Sequence, residues 1–125
     1  MGVRPKVLVV DDNCDVRRLY AIGLNQRGFE VKLAANGAEA VERIASERPD
    51  IVLLDWVMPL MDGGEVLHKL REATHVDIPV IVISGHAQPE ESQGDPRIQS
   101  WLVKPVTIEQ LVDEMVGRAL ARMPG

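Results

Sequence analysis

The chain has 125 residues, of which 46% are hydrophobic, so it is long enough for one domain with a single core and too apolar for a disordered chain. The net charge of −5 and the lack of any Lys or Arg run (Arg17-Arg18 is interpreted as solvated surface) argue against a nucleic-acid-binding surface. No apolar run approaches the ~20 residues of a membrane span, and a single cysteine, Cys14, excludes an internal disulfide and is compatible with the cytoplasm.

The first elements are predicted to be a strand, a helix and a second strand. Lys6–Val10 is an apolar run that ends at Asp11-Asp12, and Asn13 is a suitable cap for the helix that follows. Gly28 predicts a left-handed end to that helix, and Glu30–Ala34 alternates polar and apolar residues as a strand does. The apolar stripe of the helix comprises Val16, Leu19, Tyr20, Gly23 and Leu24.

A second helix and a third strand are predicted next. Asn36-Gly37 opens the helix, and Pro49 ends it because proline cannot continue a helix. Ile51–Leu54 is a run of apolar residues that predicts a buried strand, and this strand delivers Asp55 to its end. The predicted inward positions of the helix are Ala38, Val41, Ile44 and Ala45.

The third helix follows Gly63-Gly64, and the fourth strand is predicted over Ile78–Ile83. The next segment, Gly85–Ser100, has almost no apolar residues and contains two prolines. A helix there can occupy at most a turn or two, within Pro89–Gln93, so the fourth connection is expected to be short or irregular. The predicted inward positions of the third helix are Val66, Leu67 and Leu70.

The last strand is predicted over Ser100–Val103 and runs into Lys104-Pro105. The last helix begins with a capping box from Thr107 to Gln110, and the tail Arg122–Gly125 is expected to fray. The apolar stripe of this helix comprises Ile108, Leu111, Val112, Met115, Ala119 and Leu120.

Five strands that alternate with helices predict the α/β class. We expect a doubly wound five-stranded parallel sheet of order 2-1-3-4-5 (flavodoxin-like), with helices on both faces and a short or irregular fourth helix. Since the strand order reverses in such a sheet, a crevice forms at its carboxyl edge. The whole chain, residues 1–125, is expected to form one domain.

Three carboxylates are predicted to meet in that crevice. Asp11 and Asp12 follow the first strand, and Asp55 ends the third. Carboxylates a few Å apart repel each other, so at least one pKa should rise unless a cation is bound. Mg²⁺ suits this set because it takes one or two carboxylates and keeps several waters. The competing interpretation is a plain Asp-Asp turn that caps the helix.

A lysine and a hydroxyl are predicted to face the acids. Lys104 ends the last strand, and a cis bond to Pro105 would direct the lysine over the strand ends. Ser84 offers a hydroxyl donor, and Gly85 allows close approach of the backbone. Together, these groups suit a phosphoryl group that Asp55 attacks while the cations neutralise its oxygens.

The sequence gives little support for a nucleotide-binding site or for a catalytic serine or cysteine. A glycine-rich phosphate loop is lacking, which argues against ATP as the donor, and no Ser/His/Asp or Cys/His arrangement is evident. The three histidines are scattered. His68 and His75 are expected on the solvent side of the third helix and its exit, whereas His86 could flank the site.

Four motifs in order resemble the receiver domain of bacterial response regulators, especially the single-domain chemotaxis type. They are Val7–Asn13, Leu53–Gly63, Ile83–Gly85 and Trp101–Pro105, and the resemblance covers the chain from Lys6 to Arg122. It implies that Asp55 accepts a phosphoryl group from a histidine kinase or a histidine phosphotransfer protein. It also implies direct Mg²⁺ ligation by Asp12, Asp55 and the backbone carbonyl of Val57, with Asp11 acting through water.

The resemblance further implies a conformational switch. Ser84 occupies the position of the hydroxyl that binds the phosphoryl oxygen, and Trp101 occupies that of the aromatic side chain that rotates. Three departures bear on output: tryptophan is bulkier than the usual Tyr or Phe, Val106 stands where Phe is common, and Gly85–Ser100 lacks the stripe of a normal helix. Residues expected to flank the site are Trp56, Gly85, His86 and Pro105.

Several alternatives stay open at this point. A phosphatase or phosphotransferase that uses Asp55 as a turnover nucleophile would usually carry a second Asp two residues on, where this chain has Val57. A receiver-like scaffold that only binds partners is a third possibility. Apolar Val57, with His86, is expected to govern water access and slow hydrolysis of an acyl phosphate. The kinase, the downstream protein and the setting (stand-alone, part of a hybrid kinase or a longer protein) are not specified.

Overall fold

The computed structural model describes residues 4–58, 62–73 and 78–119, without the side chains of 70–73, 91, 118 and 119. Five predictions concern residues or side chains that the structure does not describe: the inward positions of Leu70, Ala119 and Leu120, the exposure of His75, and the frayed tail Arg122–Gly125.

Five parallel strands form one sheet in the order β2-β1-β3-β4-β5, which confirms the predicted topology. The strands are β1 (Lys6–Val10), β2 (Glu30–Ala34), β3 (Ile51–Asp55), β4 (Val80–Ser84) and β5 (Ile98–Val103). The α-helices are α1 (Cys14–Gln26), α2 (Gly37–Glu47), α3 (Gly63–Ala73) and α4 (Ile108–Glu114), and a π-helical turn, Met115–Ala119, extends α4.

The two faces of the sheet support two separate apolar cores, because alternate residues of each buried strand point to opposite faces. In the core between the sheet and helices α2 and α3, Leu8 and Leu54 of the sheet cluster with Ile44 of α2. In the core between the sheet and helices α1 and α4, Leu53 of the sheet clusters with Leu24 of α1. The central strands are therefore buried on both sides. This packing holds in place the ends of the strands, where the polar groups lie.

The predicted caps set the ends of the helices. The Asn13 side chain accepts hydrogen bonds from two backbone N–H groups of α1, and the Asn36 side chain accepts one from the Glu39 N–H of α2. Gly28 adopts a φ of 93°, the left-handed conformation that glycine tolerates, after α1. Thr107 and Gln110 form a reciprocal capping box at α4, as predicted. Local sequence therefore defines where α1, α2 and α4 begin.

Several predicted boundaries and inward positions were wrong. β4 begins at Val80 and not at Ile78, because Pro79 has no N–H to contribute to the ladder. β5 begins two residues earlier than predicted, since the Val80 N–H bonds to the Arg97 carbonyl and pairs Ile98 with the start of β4. Three residues that were predicted to face inward are exposed: Leu19 in α1, and Ala38 and Ala45 in α2. In α2, Ala40 is buried instead.

The connection between β4 and β5 contains one 3₁₀ turn, Glu90–Ser92, which confirms the short, irregular fourth connection. The buried Ser92 hydroxyl stabilises the turn by donating to the Pro89 carbonyl at 2.8 Å. Arg97 also anchors the segment, because its Nη1 donates to the Leu67 carbonyl in α3 at 2.9 Å. The connection is thus held by side-chain hydrogen bonds rather than by an apolar stripe.

Candidate functional site

The carboxyl edge of the sheet brings together polar residues from four strands. Asp11 directly follows β1, Asp55 and Ser84 are the last residues of β3 and β4, and Lys104 directly follows β5. Because all the strands are parallel, these residues lie at the same edge. β2 lies outside this group, at the far side of β1.

Asp11, Asp12 and Asp55 form a compact acidic cluster. Each offers one carboxylate oxygen, and these oxygens lie within 4.8 Å of one another. Asp11 is 3% and Asp55 8% exposed, whereas Asp12 is exposed to solvent. Asp11 is held in place because its Oδ1 accepts a hydrogen bond from the Asn13 backbone N–H at 2.9 Å. The cluster therefore has a buried floor and an open, wet side.

The ionised form of Asp55 is destabilised by its surroundings in the acidic cluster. Burial, the nearby Asp11 carboxylate and, to a lesser degree, Asp12 raise the pKa of Asp55 to about 6. Two groups act in the opposite direction and lower this pKa: the Lys104 ammonium, and the Val57 backbone N–H that donates to Asp55 Oδ1 at 3.4 Å. The repulsion is the one expected for neighbouring carboxylates, and a cation would relieve it.

Lys104 faces the acids from the end of β5. Its Nζ lies 3.8 Å from Asp11 Oδ2 and 3.9 Å from Asp55 Oδ2. Its peptide bond to Pro105 is cis, and its backbone N–H donates to the Ser84 carbonyl at 2.8 Å. The lysine thus places one cation beside both buried carboxylates while about a third of its side chain stays exposed.

Ser84 and Trp101 are linked through the backbone of His86. Ser84 is 1% exposed, and its Oγ accepts a hydrogen bond from the His86 N–H at 3.1 Å. The His86 carbonyl in turn accepts a hydrogen bond from Trp101 Nε1 at 2.8 Å. The Trp101 ring also contacts that of Trp56, with centroids 4.9 Å apart and planes tilted by 57°.

The rim of the site is open. Val57 is 60% exposed, and Gly85, His86 and Pro105 are exposed as well. Trp56 is partly buried and packs against the core under α2 and α3. His68 is exposed on α3, as expected from the sequence.

Sequence reasoning missed two residues of α1 that contact or influence the site. Arg17 was interpreted as solvated surface, which is wrong: it is half-buried, and its Nη1 donates to the Asp11 carbonyl at 2.7 Å. Tyr20, predicted only as a stripe residue, is buried, and burial with the Asp11 and Asp55 charges raises its pKa. A usable signal existed, because Arg17, Tyr20 and Leu24 recur at the spacing of one helical face.

The donor set fits a hard divalent cation. It consists of carboxylate oxygens from Asp11, Asp12 and Asp55, without sulfur or imidazole among them. Mg²⁺ prefers such a set, and the exposed side at Asp12 leaves room for the waters that this ion retains. Buried acids, an adjacent lysine and a buried hydroxyl at the carboxyl edge of a doubly wound sheet could together hold an anionic group and a metal ion.

Comparison with known proteins identifies the class. The family described as the response regulator receiver domain matches residues 7–116, and the chain belongs to this family. It is therefore a receiver domain of two-component signalling systems, a regulatory family in which Mg²⁺ binding is general.

Individual similar proteins are also response regulators or receiver domains. The chain is 41% identical over 124 residues to the response regulator MprA of Mycobacterium ulcerans, covering 98% of this chain and 51% of that protein. The structure is similar to the Vibrio cholerae chemotaxis protein CheY4, with a TM-score of 0.82 and 32% identity over 90% of this chain and 97% of that chain. A receiver domain from Clostridium thermocellum gives a TM-score of 0.83 at 25% identity, over 94% of this chain and 95% of that chain.

The chain spans about half the length of the curated relatives that it matches. Among the described residues, no helix is both long enough and apolar enough to cross a membrane.

Proposed function

We propose that this receiver domain accepts one phosphoryl group on Asp55 from a histidine kinase or a histidine phosphotransfer protein. The observation that carries the proposal is the position of Lys104 Nζ, within 4 Å of both Asp11 and Asp55 carboxylates at the carboxyl edge of the sheet. A phosphoryl group on Asp55 would bring its oxygens to this cation and to the acidic cluster.

The chemistry is a displacement at phosphorus. An Asp55 carboxylate oxygen forms the new P–O bond, the P–N bond of the donor phosphohistidine breaks, and its electron pair stays on the imidazole nitrogen. Asp55 has to be ionised for this attack, and a pKa of about 6 leaves most of it ionised at neutral pH. Lys104 and the Ser84 hydroxyl then hold the phosphoryl oxygens.

We assign the metal ligands to the same edge. Asp12, Asp55 and the Val57 backbone carbonyl would hold Mg²⁺ directly, with Asp11 acting through water. The bound ion would neutralise charge on the transferring group. The output step is assigned to Ser84 and Trp101, whose link through His86 would change when the hydroxyl turns to the phosphate.

The setting of this reaction is also proposed. The phosphodonor is a histidine kinase or phosphotransfer protein, the downstream partner is a protein whose identity is open, and neither nucleic acid nor a membrane binds to this domain. We place the domain in the cytoplasm and treat residues 1–125 as one receiver unit. The reaction is single self-phosphorylation and dephosphorylation rather than turnover of a substrate.

Incubation with acetyl phosphate and Mg²⁺ tests the proposal. Intact-protein mass spectrometry should show one added phosphoryl group, which disappears in the presence of EDTA and in the Asp55→Asn variant. The matched control is Asp113→Asn, an exposed acid on α4 that should keep full uptake. Uptake by Asp55→Asn equal to that of the wild type would reject Asp55 as the acceptor.

A further inference from the structure

A contact between two tryptophan rings joins the loop after Asp55 to β5. Trp56 directly follows Asp55, and its ring centroid lies 4.9 Å from that of Trp101 in β5. β3 and β5 are not neighbours in the sheet, since β4 lies between them. The ring contact therefore bridges the acceptor loop and the edge strand without passing through the backbone of β4.

The position of the Trp56 ring is fixed by the first residue of α3. The Gly63 N–H donates to the Trp56 carbonyl at 2.7 Å. A Cβ at Gly63 would lie 2.4 Å from Trp56 Cε3, which is too close for the ring to stay in place. At Gly64 the nearest Trp56 atom would be 3.6 Å from such a Cβ, an ordinary contact. The ring thus packs directly on Gly63.

Trp101 is held from a second side by the end of β4. Its Nε1 donates to the His86 carbonyl, and the His86 N–H donates to Ser84 Oγ. Two connections therefore reach the same indole: one runs from Ser84 through hydrogen bonds, and the other runs from Asp55 through the adjacent Trp56 ring. Between β4 and β5, the described residues 78–103 contain a 3₁₀ turn and no α-helix. The connections to Trp101 from Ser84 and Trp56 are therefore made without a helix in this segment.

We propose that the Trp56–Trp101 contact is a second route by which phosphorylation of Asp55 changes β5, in parallel with the route through Ser84. Trp56 is then a positioning residue that acts through Trp101. This inference rests on the proposed function, because it requires Asp55 to be the acceptor. The physical reason is that the ring of Trp56 packs on Gly63 on one side and contacts Trp101 on the other, so a displacement of the Asp55 loop is passed to Trp101 through the ring contact.

The test compares amide exchange of residues 98–103 with and without acetyl phosphate and Mg²⁺, and divides the response by the phosphorylated fraction measured by intact mass. Trp56→Leu removes the ring contact, and Gly63→Ala displaces the ring while keeping both tryptophans. Each variant should reduce the normalised response at least about twofold, as expected for loss of one of two coupled routes. Gly64→Ala, one residue further along α3, is the matched control and should respond as the wild type does.

A double-mutant comparison separates the two routes. Ser84→Ala should keep part of the normalised response, and Ser84→Ala combined with Trp56→Leu should lose nearly all of it. A wild-type response in Trp56→Leu would overturn the inference, as would an equal loss in Gly64→Ala, which would indicate a general effect of α3 packing. Failure of the proposed function has a different signature, because the wild-type protein would then show no added mass at all.

Discussion

Replacing Asp55 by asparagine is expected to stabilise the metal-free protein at neutral pH. The folded state raises the pKa of Asp55 from 3.8 to about 6, mainly because the carboxylate is buried and lies beside Asp11. The Asp55 carboxyl group loses its proton more readily in the unfolded chain than in the folded protein, so folding with an ionised Asp55 costs free energy. This difference in pKa lowers the free energy of unfolding by about 3 kcal/mol at a pH where Asp55 is ionised in both the folded and the unfolded state. Asparagine has a similar shape without the charge and removes this cost.

The effect depends on pH in a defined direction. Well below pH 3.8 Asp55 is protonated in both the folded and the unfolded state, and the variant has little advantage. Between pH 4 and 6 the folded protein keeps a proton that the unfolded chain loses, so the wild type loses stability as the pH rises. Above pH 6 the full difference is present. The Lys104 attraction is already part of this balance, because it lowers the same pKa.

Urea unfolding in EDTA at pH 4 and pH 7.5 measures this difference. At pH 7.5 the midpoint of Asp55→Asn should exceed that of the wild type by about 1–3 M, and at pH 4 by only about 0.2–0.5 M. Asp113→Asn, an exposed acid on α4, should stay within about 0.5 kcal/mol of the wild type at either pH. Saturating Mg²⁺ should narrow the gap by stabilising the wild type. An Asp55→Asn variant no more stable than the wild type in EDTA at pH 7.5 would refute the electrostatic reasoning.

Three further predictions concern the lysine, the rim and a helix cap. Lys104→Met should slow phosphoryl uptake about 100-fold by removing the cation beside the acceptor, and a rate within about twofold of the wild type in an intact-mass time course would contradict this role. Val57→Asn should shorten the lifetime of the aspartyl phosphate several-fold, because the exposed valine side chain would be replaced by a group that can orient water; decay of the added mass at the wild-type rate would argue against it. Thr107→Ala should cost about 1 kcal/mol in urea unfolding by removing the capping box, whereas Thr107→Ser should keep most of that stability.

Local sequence predicted the topology and most of the element boundaries. The apolar runs of β1 and β3 fix buried parallel strands, and Asn13, Asn36 and Thr107 define the starts of three helices because capping is a short-range hydrogen-bonding effect. The low apolar content of 85–100 likewise predicted the missing helix. Boundaries that depend on a neighbouring strand, such as the start of β5, could not be predicted in this way, since pairing with Val80 is a long-range interaction.

The sequence by itself determined which side chains stand at the strand ends, and hence that Asp11, Asp55, Ser84 and Lys104 share one edge of a parallel sheet. Only the tertiary structure decided the distances between them, which of the three carboxyl groups has the raised pKa, and the hydrogen bond of Arg17 to the Asp11 carbonyl. The Trp56–Trp101 contact belongs to the same group, because it requires two segments 45 residues apart to pack on one face. Strand order follows from local patterns and chain connectivity, whereas electrostatics and side-chain packing depend on the close approach of segments that the chain keeps far apart.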